Sequence, residues 1–230
     1  MSPQEDLTRS LISCASNGDA KGLLALLEQG ANPKAVNSMA LFWAAGNGHA
    51  ECVKHLIPVS DPNAGRSHAL RFAASKGQAE CVRLLIPASD PKAEDSEALR
   101  LAATIGHAEC VRLLIPASNP KASGSSALRW ALENNHAECA KLLIPHSDPL
   151  TEMGAPLRRA ISSGRSHIVS IMFSHEPGLL DQQDLPSVLA EALANGNSEL
   201  ALFISSIIEE QSLHAALPQA SHQIQPPRRL

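Results

Sequence analysis

Short apolar segments and polar turns alternate along the chain at an interval of 29 residues. In one unit, residues 96–124, the run 98–103 contains good helix formers with small residues among them. A second segment, 107–115, carries its apolar side chains three to four residues apart, which is the spacing of one helix face. Gly106 supplies the left-handed residue that closes a helix, and Pro116 cannot continue one. Each unit is therefore predicted to be two short helices joined by a turn, which are stable only when the units stack.

Four residue types mark the same interval, so an internal repeat is the main feature of the sequence. The recurring residues are Cys52, Cys81, Cys110 and Cys139; Pro58, Pro87, Pro116 and Pro145; Leu41, Leu70, Leu99, Leu128 and Leu157; and Glu51, Glu80, Glu109 and Glu138. Self-similarity at a fixed period of this length indicates a repeat array, in which each unit buries its apolar surface against its neighbours. The helical units of this array predict an all-α fold.

The repeat boundaries place seven units in a single domain, 1–211. The units are about 7–36, 37–65, 66–94, 95–123, 124–152 and 153–183, with a C-terminal cap at 184–211. Acidic residues of the cap, such as Glu191 and Glu199, are unopposed by Lys or Arg, which suits an outer face in contact with water. Residues 212–230 end in Gln-Pro-Pro-Arg-Arg-Leu and are predicted to be a disordered tail.

One stretch of each unit carries a family motif. Residues 102–114, Ala-Ala-Thr-Ile-Gly-His-Ala-Glu-Cys-Val-Arg-Leu-Leu, resemble the Ala-Ala-x-x-Gly-His-x-x-Val-Val-x-Leu-Leu core of ankyrin repeats. The first unit has the family's more usual ending, Leu-Leu-Glu-Gln-Gly-Ala-Asn-Pro, at 26–33. The resemblance covers residues 7–211 and implies a solenoid of stacked helix-turn-helix units. Because the unit has 29 residues rather than about 33, with the shortfall in the finger loop, short fingers are expected.

The resemblance implies a non-enzymatic scaffold that holds a protein partner on its concave face. The Ile-Pro-x-Ser-Asp-Pro-Lys-Ala endings of the units are similar to those of ankyrin proteins from proteobacteria, some of which are delivered into host cells. This similarity suggests a bacterial host-directed effector or adaptor. An accessory or inhibitory subunit of a bacterial enzyme is an alternative. A small-molecule or metal-binding protein that uses the recurring His and Cys residues is an alternative of another class.

Partner contacts are expected where the repeats differ, because the shared residues already account for folding. In ankyrin proteins these variable positions are the finger loop and the two residues before the Gly-His pair. The contact residues expected from the resemblance are Asn47, Arg66, His68, Lys76, Glu94, Asp95, Glu97, Thr104, Ile105, Glu133, Asn134, Glu152 and Met153. Ile105 is an apolar residue near the centre of this surface, where interface hot spots concentrate. Four residues that share one position in the first helix are instead expected in the core: Trp43, Phe72, Leu101 and Trp130.

Arginine replaces the family's opening histidine in four successive units, at Arg71, Arg100, Arg129 and Arg158. One interpretation is structural: each guanidinium bridges loop carbonyls and an acidic turn residue about ten positions earlier, as Asp61 is to Arg71. The other interpretation is a basic stripe that captures an acidic peptide or a phosphate. Because a glutamate recurs just as regularly in each second helix, the surface is expected to be charge-balanced.

The recurring cysteines and histidines form no known catalytic or metal-binding motif. Equivalent Cys residues of stacked repeats would lie roughly 10 Å apart, beyond the ~7 Å limit for a disulfide. Each repeat supplies at most two of the four ligands of a structural zinc site. The Cys residues are therefore expected to be small buried apolar groups. His49, His107 and His136 are expected to hydrogen-bond turn carbonyls or helix ends, and no catalytic residue, cofactor or metal is predicted.

Composition narrows the partner classes. The chain has 19 Lys and Arg against 23 Asp and Glu, a net charge of −4, and 3% aromatic residues with no Tyr. This balance lacks the basic excess and the stacking platforms of nucleic-acid-binding proteins, so no nucleic-acid partner is expected. No stretch reaches the ~18 apolar residues of a membrane span, and the first residues lack the basic and apolar regions of a signal peptide. A monomeric cytoplasmic protein is expected, delivered into a host cell if it is an effector.

Overall fold

The computed structural model describes residues 3–147, 160–175 and 185–221, which are helices joined by turns. The helices are α1 (Pro3–Asn17), α2 (Ala20–Glu28), α3 (Ala35–Gly46), α4 (Ala50–Leu56), α5 (Ala64–Ser75), α6 (Ala79–Leu85), α7 (Ala93–Ile105), α8 (Ala108–Leu114), α9 (Ala122–Glu133), α10 (Ala137–Leu143), α11 (Ser166–His175), α12 (Leu185–Ala194) and α13 (Ser198–Ser221). A short 3-10 helix, Ile144–His146, follows α10. These residues contain no strand, in agreement with the predicted all-α fold.

Helices α1 to α10 belong to the larger of two compact units, Met1–Glu152, and are arranged as five helix pairs. The first helices α1, α3, α5, α7 and α9 lie side by side in chain order. The second helices α2, α4, α6, α8 and α10 form a second layer, and each contacts the first helix of its own pair. The predicted solenoid of stacked helix-turn-helix units is confirmed in this part of the chain.

The core between the two layers is built from two short patterns that recur in each pair. In the fourth pair it comprises Ala98, Leu99, Ala102 and Ala103 of α7 with Cys110, Val111 and Leu114 of α8. The small alanines let neighbouring first helices approach closely, and each buried leucine contributes about 1.5–3 kcal/mol. The four recurring cysteines are at most 1% exposed, as expected for small apolar core residues.

Each finger is a single left-handed turn at the start of a first helix. In α7 the turn consists of Glu94, Asp95 and Ser96, whose φ angles are 50°, 54° and 62°. Left-handed backbone costs a non-glycine residue roughly 1–2 kcal/mol. The last residue of the turn offsets part of this, because the buried Ser96 hydroxyl accepts a hydrogen bond from the backbone N–H of Asn119 at 2.9 Å. The predicted short fingers are present, and this bond joins the finger to the loop after the second helix of the same repeat.

The same serine bond recurs in the second and third pairs. The Ser38 hydroxyl accepts from the Asp61 N–H, and the Ser67 hydroxyl accepts from the Asp90 N–H, both at 2.9 Å. The serine in the loop after the second helix forms a different bond that reaches the preceding repeat, as when Ser118 donates to the carbonyl of Pro91 at 3.2 Å. The first kind of bond closes each repeat, and the second kind joins neighbouring repeats.

The second compact unit, Met153–Leu230, contains α11, α12 and α13. Here α12 packs against α13, and Phe173 of α11 stacks on Phe203 of α13 with ring centroids 6.3 Å apart. Of the acidic cap residues, Glu191 and Glu199 are exposed. The single domain 1–211 remains a prediction.

The disordered tail 212–230 likewise remains a prediction. The backbone of residues 212–221 belongs to α13. The reason is local, because the sequence Leu-His-Ala-Ala-Leu at 213–217 consists largely of strong helix formers that extend the helix beyond the last repeat motif. Residues 222–230 lie outside the described part of the chain.

In the three described segments, no helix combines the length and the apolar character that crossing a lipid bilayer requires.

Candidate functional site

The first helices present large apolar side chains on the side away from the core. Trp43 and Trp130 are 37% and 36% exposed, and Phe72 and Leu101 are half-buried. We call the position that these four residues share the aromatic position. The prediction that they are core residues is wrong. Each stands two residues after the buried leucine, which is about 200° around the helix from it, so the side chain leaves the Ala-Leu stripe.

Five side chains of α3 and α5 meet around the aromatic position of the second and third pairs; we call them the aromatic cluster. Phe42 and Phe72 stack with centroids 4.2 Å apart and an interplanar angle of 6°. Trp43 meets both rings edge-on, at 5.2 Å from Phe42 and 5.8 Å from Phe72. His68 lies 4.4 Å from Phe42, and the Lys76 Nζ stands 5.5 Å from the centroid of Phe72. These contacts hold the rings in fixed positions although Trp43 remains partly exposed.

His68 is a neutral member of this cluster at pH 7. Partial burial lowers the pKa of His68 below its ordinary value of 6.5, and the nearby Arg71 guanidinium lowers it further, while Glu97 opposes both effects. The imidazole therefore adds a flat, uncharged surface to the aromatic rings. The sequence placed His68 among the contact residues without indicating its stacking partner.

The arginines of successive first helices share a glutamate. Glu97 of α7 pairs with Arg71 of α5 and with Arg100 of its own helix, at 2.7 Å in the second case. Arg71 Nη2 also donates to the carbonyl of Gly65 at 3.0 Å. The predicted bond to a loop carbonyl is thus confirmed for Arg71, whereas the predicted acidic partner, Asp61, is wrong.

The turn aspartate binds its own loop instead. Asp61 Oδ1 accepts a hydrogen bond from the backbone N–H of Asn63 at 3.0 Å, and Asp90 Oδ1 accepts one from Lys92 at 2.9 Å. These short-range hydrogen bonds hold each aspartate carboxylate within its own turn. Arg158 lies outside the described residues.

A shallow groove separates the aromatic cluster from the arginine network. Its volume is about 190 Å³, and it is lined by His68, Arg71, Phe72, Ser75, Glu97 and Leu101. Apolar faces and charged groups therefore border the same opening.

A larger groove of about 470 Å³ lies at the N-terminal side of the array, between α1 and the first finger. Its lining includes Ile12, Ala35 and Val36. The Val36 side chain is 61% exposed at the tip of the left-handed turn. No sequence prediction included Ile12 or Val36, although a β-branched residue at the variable finger position was visible in the sequence.

The predicted finger residues are exposed but largely paired with one another. Arg66 forms an ion pair with Glu94 of the next finger. Asp95 Oδ2 accepts a hydrogen bond from the Ser123 hydroxyl of the finger after that, at 3.1 Å. These contacts connect the fingers along the array, which the sequence prediction did not anticipate.

The predicted helix-end residues lie at the C-terminal ends of the first helices, and three of them hydrogen-bond backbone carbonyls. Asn47 Nδ2 donates to the carbonyl of Ser16 at 2.9 Å, Thr104 Oγ1 donates to the carbonyl of Arg100 at 2.7 Å, and Asn134 Nδ2 donates to the carbonyl of Trp130 at 2.9 Å. Ile105 is 47% exposed, as predicted. Glu133 is half-buried at the end of α9.

Two further predicted contact residues, Glu152 and Met153, lie outside the described residues.

The recurring histidines bind the preceding repeat. Nε2 of His49, His107 and His136 lies 2.9, 3.2 and 3.1 Å from the carbonyl oxygens of Ser16, Ser75 and Thr104. Because a carbonyl only accepts, each Nε2 carries the proton. The prediction that these rings hydrogen-bond turn carbonyls is confirmed.

Burial makes the recurring thiols poor nucleophiles. It raises the pKa of Cys81, Cys110 and Cys139 to about 11, so the neutral thiol predominates at pH 7. In the described segments, no three His, Cys, Asp or Glu side chains converge as the ligands of a metal ion would.

The fold and the repeated Gly-His motif agree with a known family. The family model described as "Ankyrin repeats (3 copies)" matches residues 11–95 and 73–153, which together span more than half of the 230 residues. No curated protein is significantly similar to the chain. Ankyrin repeats generally mediate protein–protein interactions, and proteins built from them are typically non-enzymatic. The chain belongs to the ankyrin-repeat family.

Proposed function

We propose that the protein is a non-enzymatic scaffold that binds a protein partner on the exposed side of its first helices, which is the concave face of an ankyrin solenoid. The observation that carries the proposal is the aromatic cluster, in which Trp43 is partly exposed yet fixed by Phe42 and Phe72. Partly exposed tryptophans held in place are typical hot spots of interfaces.

Rigidity supports the same function. Bonds of Ser60, Ser89 and Ser118 and of three histidines join each repeat to the next. A surface that is ordered before binding loses little conformational entropy when a partner arrives, so modest contacts suffice for specific association. Ile105 lies at the end of α7, which is the second first-helix after the one that carries Trp43. It extends the apolar surface along the array.

The repeats themselves supply substitutions that the fold accommodates. Leucine occupies the aromatic position in the fourth pair, so Trp43→Leu places a residue that this position already accepts. Asparagine occupies the equivalent of Ile105 in the fifth pair, as Asn134, so Ile105→Asn follows the same rule. The double variant should retain the fold while losing a large aromatic contact and an apolar contact.

Affinity capture tests the proposal, with immobilised wild-type protein and the double variant exposed to lysate of the native cell. We expect a captured protein that the variant retains at least tenfold more weakly, and equal circular dichroism of the two baits. The control is Lys54→Glu, which changes a residue of α4 in the layer of second helices, away from the proposed surface. A partner held equally by all three baits would place the function on another surface.

We further propose that the protein is bacterial and cytoplasmic, and that it acts as a host-directed effector or adaptor. The similarity of its Ile-Pro-x-Ser-Asp-Pro endings to those of proteobacterial ankyrin proteins supports this proposal. A translocation reporter fused to the chain tests it during contact of the source cell with a host. Signal confined to the source cell would contradict delivery and favour a role inside the bacterium.

A further inference from the structure

We infer that the partner of this surface is an extended acidic peptide segment with an aromatic or large aliphatic anchor next to its acidic residues. The inference rests on the proposed function and specifies the chemistry of the partner. It follows from a change from apolar to cationic side chains at one position of successive first helices. This position, which we call the arginine position, holds Ile12, Phe42, Arg71, Arg100 and Arg129 in successive pairs.

The arginine position is apolar in the first two pairs and cationic in the next three. The neighbouring aromatic position is apolar in pairs two to five. Apolar side chains therefore occupy the aromatic position from the second pair to the fifth, whereas guanidinium groups flank it only in pairs three to five. A partner that matches this surface has an apolar end over the aromatic cluster and an anionic end over α5 and α7.

The charge balance around the groove is positive. Arg71 and Glu97 line it, and Arg100 pairs with Glu97. The Lys76 ammonium stands over the lining residue Phe72, so three cations surround one carboxylate. Arg66 and Glu94 form an ion pair at the fingers and add no net charge. A ligand carboxylate would enlarge the hydrogen-bonded network of two arginines around one glutamate, whereas a ligand ammonium would meet like charge.

The aromatic cluster disfavours a cationic partner as well. One face of Phe72 is stacked on Phe42, and the ammonium of Lys76 stands 5.5 Å from its ring centroid. The π surface that attracts a cation is thus already used within the protein. The exposed part of Trp43 is left for an apolar side chain, and Lys76, which stands over the neighbouring Phe72 ring, is left for a carboxylate.

The spacing of the partner's residues follows from the repeat. Neighbouring first helices lie roughly 8–10 Å apart, and an extended chain advances about 3.3 Å per residue. One repeat therefore corresponds to about three residues of the partner. The acidic residues are expected about three to six residues from the apolar anchor.

Display selection tests this chemistry without knowledge of the natural partner. A library of random 12-residue peptides is selected on the full-length wild-type chain, and the enriched sequences are compared with the unselected library. We expect enriched peptides that carry two or more Asp or Glu residues within about six positions of a Trp, Phe or Leu. Enriched peptides without this acidic excess, or no enrichment at all, would overturn the inference.

Charge variants of the same protein assign the acidic contact. Lys76→Asn introduces the residue that Asn47 and Asn134 provide at this position in other pairs, and Lys76→Glu reverses the charge. We expect binding of a selected peptide to weaken about 2–5-fold in the first variant and about tenfold or more in the second. The control Lys54→Glu changes the net charge equally on a second helix and should leave binding unchanged.

The remaining outcomes separate this inference from the proposed function. If Trp43→Leu with Ile105→Asn abolishes peptide binding while Lys76→Glu has no effect, the surface binds proteins but the acidic assignment is wrong. Tighter binding of an oligothymidine 20-mer than of any selected peptide would also overturn the inference, because it would assign the cations to nucleic acid.

Discussion

Gln78 interrupts the histidine series and offers a direct measurement of one inter-repeat hydrogen bond. It stands where His49, His107 and His136 stand in other pairs, at the start of a second helix. Its Oε1 lies over Gly48 as the histidine rings lie over the preceding glycines. In the described part of the chain Gln78 makes no side-chain hydrogen bond equivalent to theirs.

The substitution Gln78→His should create the missing bond. His107 and His136 bond the carbonyl 32 residues earlier, which for position 78 is that of Gly46. A net intramolecular hydrogen bond contributes about 0.5–1.5 kcal/mol. In a protein of this size one kcal/mol moves the melting temperature by about 2–4 °C, so we expect a rise of about 1–6 °C.

Thermal denaturation followed by circular dichroism measures the effect, with His107→Gln as the reciprocal variant. The stability of a repeat array is a sum of unit and interface contributions, so the two changes should be similar in size and opposite in sign. A loss in His107→Gln without a gain in Gln78→His would show that the third pair is not equivalent to its neighbours. No change in either variant would refute the view that this bond joins the repeats.

Three further predictions concern the same framework. Ser96→Ala removes the acceptor of the Asn119 N–H and should lower the free energy of unfolding by about 1–3 kcal/mol in urea, and an unchanged midpoint would contradict the assigned bond. Gly106→Ala places a side chain at φ 95° and within 2.5 Å of a histidine nitrogen, so a loss of about 1–2 kcal/mol or more is expected, whereas Asn135→Gly, at the equivalent position, should change stability by less. Burial raises the pKa of Cys81 to about 11 from 9.0, so the folded state holds the thiol proton more tightly than the unfolded state. This contribution to stability should be complete below about pH 9 and lost as the pH rises towards 11. Rapid labelling of the Cys81 thiol itself in native protein at pH 8, distinguished from labelling of the less buried Cys14, would contradict the assignment.

The sequence predicted the framework because framework residues recur. The leucine, alanine and cysteine positions of the second to fifth pairs are buried as expected, and the histidine of the Gly-His motif joins the repeats as expected. Recurrence also located the short fingers. It could not give their left-handed turn, because Val36 and Glu94 are unusual in that conformation, and the bond between the following serine and the loop after the second helix becomes visible only in the structure.

The binding surface was predicted less well, for two physical reasons. Trp43 and Trp130 were assigned to the core from their apolar character, although their offset of two residues from the buried leucine already placed them outside it. The acidic partner of Arg71 was sought in the nearest turn. The partner is Glu97 of the next repeat. Sequence spacing alone does not show which residues of two neighbouring helices are in contact.

The contrast between fingers and helices indicates which residues determine the partner. Arg66 and Glu94 vary between repeats, but they pair with each other along the array, and the Arg66 side chain is 76% exposed. Such an exposed ion pair contributes about 0–1 kcal/mol. A partner that replaces it with its own ion pairs therefore changes the binding free energy little. Trp43 differs, because its contacts within the protein are to aromatic rings and its burial by a partner removes apolar surface from water. The affinity is therefore expected to reside in the aromatic position, with the variable fingers adjusting specificity around it.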